Sequence, residues 1–510
     1  MSKRLAKLYS AELEGIQAKP IEVEVDINVG LHSFNIVGLA DKALTEARER
    51  VNSALKNSGI KPPTRENRKI TVNLAPADVK KTGSHYDLAI ALGYLIASGQ
   101  IAPFETKDAL FVGELSLAGE LRPVSGALAF AQLAKRRGYR RLFLPAANAA
   151  EAGIVKGISV FPVRILTEII LHLENKKMLT AVTADFSPSA GASLVDISEV
   201  KGQAHAKRAL TIAAAGSHNM LMIGPPGSGK SMLAQALNSI LPPLTLEEAL
   251  EVTAVWSAAG LNEAGVKTVR PFRAPHQSAS LVAVIGGGTN PRPGEVSLAH
   301  RGVLFLDELP EFRRDLLEAL RQPMESGFVH VARAKGTVTF PAKFTLISAM
   351  NPCPCGYATD AEHRCKCSAH EIVQYQKKLS GPLLDRIDLQ LHVPRVPLEE
   401  IRKPRETEHG DKIRETVARA RRAQEERFRA ATPRVHTNAE MSAKQCDELI
   451  PLGRKEEEFL KAALEKAMLS ARGYYRLLKT ARTIADIEGA EDVRVPHLAE
   501  AFSYRLKDSN

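Results

Sequence analysis

"LMIGPPGSGKSMLAQAL", Leu221 to Leu237, decides the fold. The apolar run Leu221 to Ile223 predicts a short buried strand, and "SMLAQAL" predicts a helix. Between them Gly224, Pro225, Pro226, Gly227, Ser228, Gly229, Lys230 and Ser231 fit G-x-x-x-x-G-K-[ST] in the strand–loop–helix context that gives the motif its meaning. Glycines let backbone N–H groups face phosphate oxygens, and the helix N-terminus adds partial positive charge. Lys230 is placed to reach the β- and γ-phosphates, and Ser231 to ligate Mg²⁺. The expected cofactors are therefore ATP and Mg²⁺, bound on a parallel α/β sheet.

Farther along, "RGVLFLDELPEF" carries a second buried strand, Val303 to Leu306, with Asp307 and Glu308 at its carboxyl end, where ligands bind in open α/β sheets. Asp307 is expected to hold the metal through water and Glu308 to polarise the attacking water. Taken alone, such an acidic pair also begins many ordinary loops. "KFTLISAMN" predicts a strand ending in Asn351, a residue that either orients the lytic water or merely starts a turn. Directly after it, "NPCPCGYATDAEHRCKC" holds Cys353, Cys355, Cys365 and Cys367, four of the five cysteines in the chain. Two C-x-C pairs this close suit a compact tetrahedral Zn²⁺ site, with His363 and His370 flanking it as spare ligands. Reduced free thiols and a redox disulfide are the competing readings. Cys446 stands alone.

With 510 residues the chain is too long for one hydrophobic core. Strands and helices alternate as far as about Glu174. "TAVTADFSPSAGASL" breaks the pattern, and a second α/β stretch runs from Val195 to Pro394. The remainder is helical and includes the basic segment "KIRETVARARRAQEERFRAA". Expected domains are 1–178, a linker over 179–194, 195–394 and 395–510. No apolar run is long enough to span a bilayer, and the N-terminus lacks a secretory h-region, so a cytoplasmic location and no membrane partner are expected. The net charge of +11 suits a polyanionic partner such as nucleic acid, or simply a solvated basic surface.

The order of these motifs, followed by "GPLLDRIDLQ", resembles AAA+ ATPases of the magnesium-chelatase and MCM-helicase branch. "AMNPCPCG", "LLDRIDL" and "SARGYYRLLKTARTIADIEG" more closely resemble the ComM family of bacterial magnesium-chelatase-like AAA+ proteins, and the resemblance covers essentially the whole chain. It implies an α/β AAA+ P-loop core with a C-terminal helical lid, assembled as a homo-oligomeric ring, a hexamer. Arg386 matches the arginine finger that completes a neighbour's site, and Arg472 the sensor-2 arginine. Against these stand a structural salt bridge of Arg386 with Asp385 and Asp388, and Arg476 in place of Arg472. "VIGGGTNPRPGEVSL", a Gly/Pro-rich turn between strand-like flanks, resembles the helix-2 insert, and "GFVHVARAKGTVTFPAKF" the pre-sensor-1 hairpin. Arg292 in the first, with Arg333 and Lys335 at the tip of the second, are candidate DNA contacts.

The N-terminal region resembles the proteolytic domain of Lon proteases, an α+β, ribosomal S5-like fold. In "KKTGSHYDLAIA" His85 stands where the nucleophile belongs, with Ser84 one place off, and the stretch Pro123 to Phe130, Leu128 included, holds no lysine where the Lon pattern has one closely after "PV-x-G". A Lon-like domain without peptidase chemistry is expected, with Lys80, Lys81 and Arg122 as further candidate contacts to DNA. The family resemblance implies helicase or branch-migration activity on single-stranded and branched DNA during recombination and natural transformation. A magnesium-chelatase-type motor subunit that remodels a protein partner is the alternative.

Overall fold

A computed structural model describes residues 5–505, except 40, 66, 190–194, 264, 289, 334–335, 361, 403, 405–406, 430, 433–434 and 468–469. The chain forms two compact units, Met1–Ser187 with Ala249–Lys267, and Pro188–Glu248 with Thr268–Asn510.

The first unit begins with alternation. In "IEVEVDI" Ile21, Val23, Val25 and Ile27 are buried and the acidic residues between them point outward, as a one-sided strand requires. Strands Leu5–Glu14, Gln17–Val29, Arg68–Ala75 and Ser33–Val37 lie side by side in that order, the last pair parallel and the others antiparallel. Helix Asp87–Ser98 is apolar nearly all round and lies on this sheet. A Cβ on its Gly93 would stand 2.6 Å from a Val25 methyl, so glycine sets the close approach. A second, parallel sheet of Ala109–Phe111, Arg141–Pro145 and Ser159–Val163 stacks Phe111 on Phe143 and Phe143 on Phe161.

Residues Ala249–Lys267 lie in sequence within the expected ATPase domain, yet they pack in this first unit. Gly126 N donates to Ser257 O and Oγ at 3.2 and 2.9 Å, and Asn262 Nδ2 donates to the buried Glu151 carboxylate at 2.8 Å. Ala254 joins Leu128 and Ile154 in one apolar cluster.

In the second unit, five parallel strands take the order Phe272–Arg273, Val303–Leu306, Thr345–Met350, Met220–Ile223, Leu389–His392. Alternate residues of the central strands enter two separate cores, Met220, Met222, Phe305 and Ile347 on one face, Leu221, Leu304, Leu306 and Leu346 on the other. Burial of both faces explains why these strands read as unbroken apolar runs. The expected strand-like flanks of the Gly/Pro-rich insert are instead short helices, Leu281–Ile285 and Glu295–Leu298, around a ladder of two residues per strand. Ser280 caps the first by accepting from Ala283 N at 3.2 Å, and that cap together with burial of Val284 overrides the β-propensity of the run.

Helices Thr407–Arg427, Ala471–Glu488 and Val495–Ser503 pack with Ala204–Gly216 into the same core as the sheet. Much of the basic charge of Thr407–Arg427 is used inside the fold. Arg421 donates to Ala214 O at 3.0 and 2.6 Å, Arg414 pairs with Asp196 at 2.9 Å, and Arg427 pairs with the buried Asp486.

Glu248 accepts from Arg270 through both carboxylate oxygens, at 3.1 and 2.7 Å. Burial alone would raise its carboxyl, but Arg270, the Thr245 amide and Arg301 outweigh burial and hold the group down to about 2 from an ordinary 4.5. A carboxyl depressed in this way contributes stability that is complete above its unfolded pKa and is lost as pH falls through the folded one. Glu248→Gln should therefore destabilise the second unit by about 3 kcal/mol at neutral pH, and the gap should narrow as pH falls from about 4.5 to 2. A gap that stays undiminished at pH 2 in calorimetry would refute the linkage.

Candidate functional site

The strand Met220–Ile223 is hydrogen-bonded on both edges, to Thr345–Met350 and to Leu389–His392. The chain leaves it at Gly224, whose N–H donates to Met350 O at 3.2 Å, while Val393 N donates to Ile223 O at 2.8 Å. A Cβ on Gly224 would fall 2.2 Å from the Val393 carbonyl oxygen, so this glycine is required for space. Gly227 and Gly229 are required for conformation instead, with φ of 77° and 89° and nothing crowding them. Pro226 packs where a side chain on Gly356 would be, which ties the loop to the turn after Asn351. Helix Lys230–Leu237 then begins, with the Ser228 hydroxyl buried and unpartnered among the described residues.

Lys230 is buried, and burial lowers its pKa. Its Nζ donates to Gly224 O at 2.8 Å, Pro225 O at 3.0 Å and Asn351 Oδ1 at 3.3 Å. Ser231 Oγ donates to Asp307 Oδ2 at 2.7 Å, which joins the loop to the end of the strand Val303–Leu306. Asp307 Oδ1 accepts from Glu308 N at 2.9 Å, and Glu308 is exposed in the left-handed region at φ 52°, uncommon for a residue with a side chain. Lys230, Ser231, Asp307, Glu308 and Asn351 thus meet at the carboxyl ends of three adjacent parallel strands, the place where such sheets bind ligands.

A cavity of about 550 Å³ lies beside the loop, lined in part by Val200, His205, His392, Pro394, Val396 and His409. Gln203 anchors it, with Nε2 donating to Pro394 O at 2.6 Å and Ser228 O at 3.4 Å. No motif in the sequence marks this cavity, because its walls come from segments that meet only in the fold. The Gly202–Gln203 pair, both at positive φ just before a helix, is the one local trace of it.

Arg386, Arg472 and Arg476 gather elsewhere. Asp388, at the amino end of Leu389–His392, accepts from Asn219 N at 2.9 Å and from Arg476 Nη1 at 2.6 Å. Asn219 precedes the strand that ends at Ile223, so this cluster is about 16 Å from Gly224 and the glycine-rich loop, at roughly 3.3 Å per residue. Arg386 does not pair with Asp385 or Asp388. Its partner is Glu325, which also accepts from Arg472.

The four Sγ atoms of Cys353, Cys355, Cys365 and Cys367 all lie within 4.8 Å of one another, with Cys353–Cys355, Cys355–Cys365 and Cys353–Cys365 at 3.4, 3.5 and 3.7 Å. Tetrahedral thiolates about 2.3 Å from one Zn²⁺ would be roughly 3.8 Å apart, so the donor set fits. Backbone amides of Lys366 and Tyr357 hold the Cys355 thiol down to about 6. The two histidines do not join the cluster: His363 stacks on Tyr357 beside Asp360, and His370 sits in the first turn of Ala369–Gln376. Cys446 is buried in the core.

Arg292 is exposed on its short ladder, and Arg333 ends the hairpin strand Phe328–Arg333, paired with Gly336–Pro341. Lys335 and the Arg333 side chain lie outside the described residues. Lys80 and Arg122 are exposed, but Lys81 is fully buried with its amine on the Pro76 carbonyl, so it does not face a partner. In the first unit His85 Nε2 meets Ala11 O at 2.8 Å, the Ser84 hydroxyl donates to Glu114, and Leu128 is buried.

Gly224→Ala would drive a methyl into the Val393 carbonyl. It should destabilise the second unit by about 1–3 kcal/mol, as overpacking does, measurable as a lower urea midpoint, whereas Gly381→Ala, where nothing lies within 4 Å, should not.

Three family models match the chain: "Magnesium chelatase, subunit ChlI" over residues 196–401, "Subunit ChlI of Mg-chelatase" over 23–148, and "Magnesium chelatase, subunit ChlI C-terminal" over 407–505. Competence protein ComM of Haemophilus influenzae is 44% identical over 508 residues, covering 98% of this chain and 97% of that protein. The magnesium-chelatase 38 kDa subunit of Rhodobacter capsulatus is 26% identical over 64% of this chain and 94% of its own length. An archaeal Lon protease of Methanocaldococcus jannaschii is 27% identical over 32% of this chain and 26% of its own. With such identity maintained along nearly its whole length, the chain belongs to the ComM family of magnesium-chelatase-like AAA+ proteins.

Proposed function

We propose that this chain is an ATP-driven, ring-forming DNA motor that migrates branches in recombination intermediates and promotes integration of DNA during natural transformation. The observation that carries the reading is the separation of two half-sites within one chain. The phosphate loop, Asp307, Glu308 and Asn351 are at one end of the sheet, and Arg386 and Arg472 are at the other. A chain built this way hydrolyses ATP efficiently only when a second copy brings its arginines to the first copy's phosphates, which a closed ring of identical subunits provides.

In this reading Lys230 and the loop amides hold the triphosphate, Ser231 and Asp307 hold Mg²⁺, Glu308 polarises the attacking water and Asn351 orients it. Mg²⁺ supplies neutralisation of the charge that develops on the phosphates. The cavity between Val200 and Val396 takes the nucleobase. The helical segment 395–510 acts as the lid and residues 1–178 as a non-proteolytic platform. The cysteine cluster holds a structural Zn²⁺ that braces the turn leaving Asn351.

Three observations support DNA as the substrate: the net charge of +11, the exposed Arg292 together with the hairpin whose first strand ends at Arg333, and the relative named for competence. A chelatase-type motor is the second reading. It is favoured by the Rhodobacter capsulatus subunit, which aligns over nearly its full length. Among the described residues no helix is long and apolar enough to cross a membrane.

ATP-dependent migration of a synthetic four-way DNA junction tests the reading. The wild type should migrate the junction and Lys230→Ala should not. If ATP turnover is indifferent to single-stranded and branched DNA and no junction moves, the DNA motor is refuted and a protein partner becomes the substrate. Metal analysis tests the zinc: about one Zn²⁺ per chain is expected, lost in Cys365→Ser with a lower unfolding temperature. Metal-free wild-type protein that is equally stable would exclude it.

A further inference from the structure

One carboxylate holds both arginines of the second half-site. Glu325 Oε2 accepts from Arg386 Nη2 at 2.6 Å and Oε1 accepts from Arg472 Nη2 at 2.5 Å. The Arg386 side chain is only 6% exposed, whereas Glu325 is 49% exposed. The remaining Arg386 donors are occupied or enclosed: Nη1 donates to Pro382 O at 2.6 Å, and Nε is buried with no partner among the described residues. A guanidinium so enclosed cannot touch a phosphate on another subunit until it leaves Glu325. Asp388 offers it no alternative, because Arg476 and the Asn219 amide occupy that carboxylate.

Glu325 is also joined to the hairpin. It sits on the four-residue helix Pro323–Ser326, which closes at Gly327 (φ 72°) and runs straight into the strand Phe328–Arg333. Ser326 Oγ accepts from Phe328 N at 3.2 Å, and Ala342 N donates to Gly327 O at 2.8 Å, so both hairpin strands are bonded to the segment that bears Glu325. Beside it lies a cavity of about 550 Å³ lined by eight cationic and four acidic side chains, a setting that favours phosphate once the arginines are released.

We propose that Glu325 is a latch on Arg386 and Arg472, opened when DNA engages the adjoining hairpin. The proposal rests on the DNA-motor reading above. Opening exchanges one carboxylate for the phosphate oxygens of a neighbour's nucleotide, which use the same N–H donors. Glu325 is a positioning residue, since it acts only through the two arginines.

The test uses the full chain and Glu325→Gln, which keeps the length of the side chain and removes its charge. ATP hydrolysis is measured without DNA and with saturating single-stranded DNA. The DNA-free rate should rise about tenfold, the ratio commanded by one charge-assisted hydrogen bond, and DNA stimulation should shrink by the same factor. Taking the charge partner from the buried Arg386 should lower the unfolding temperature, so both rates are read at a temperature where the variant is folded. A mixture of Lys230→Ala and Arg386→Ala chains, each inactive alone, is the control for the underlying reading. If the mixture recovers activity and DNA stimulates the wild type, but Glu325→Gln keeps wild-type rates or loses activity in both conditions, the latch is overturned. If the mixture stays inactive, or the wild type ignores DNA, the reading beneath it falls and the latch falls with it.

Discussion

Everything in the second unit depends on a four-residue strand, Met220–Ile223, bonded on both edges and buried on both faces. Its amino end is fixed by Asn219, which exchanges hydrogen bonds with Asp388, with the Arg386 carbonyl and with Leu346 N. Its carboxyl end is fixed by the contact of Gly224 with Val393. A strand held this firmly sets the distance between the glycine-rich loop at one end and the Asp388–Arg386 cluster at the other. It also brings Asp307 and Asn351 to the loop, since their strands are registered to it directly or through one neighbour.

The second organising feature is the way arginine is used. The chain is strongly basic overall, yet many of its arginines are interior: Arg270 on Glu248, Arg301 on Glu440, Arg427 and Arg482 on Asp486, Arg386 on Glu325. Buried ion pairs add little net stability, because desolvation offsets their attraction, but removing one partner leaves an uncompensated charge. They therefore specify which helix meets which strand more than they strengthen the fold. Glu325 is the exception in kind. It is half exposed, bridges two cations, and stands on a short element next to a hairpin, where exchange of partners is easy.

The residues at the sheet's carboxyl ends were legible because each is written beside the element that positions it. A glycine run between an apolar strand and a helix can hardly fold otherwise, and Asp307 and Asn351 each follow a strand whose unbroken apolar character announces burial on both faces. The convergence of the cysteine pairs was legible for the same reason, since fifteen consecutive residues carry all four thiols. The insert flanks were misread because a capping serine and the burial of one valine outweigh the strand preference of Leu281–Ile285.

The sequence by itself determined the local elements and the family: the glycine-rich loop between strand and helix, the acidic pair after its strand, and the clustered cysteines. Only the tertiary structure decided the rest. It placed Arg386 and Arg472 on Glu325, buried Lys81, gave Ala249–Lys267 to the first unit and built the cavity beside Gln203. The physical reason is range. A motif fixes the backbone over a few consecutive residues, whereas the partner of a charged side chain is whichever group packing brings within about 3 Å, and that choice has no local signature.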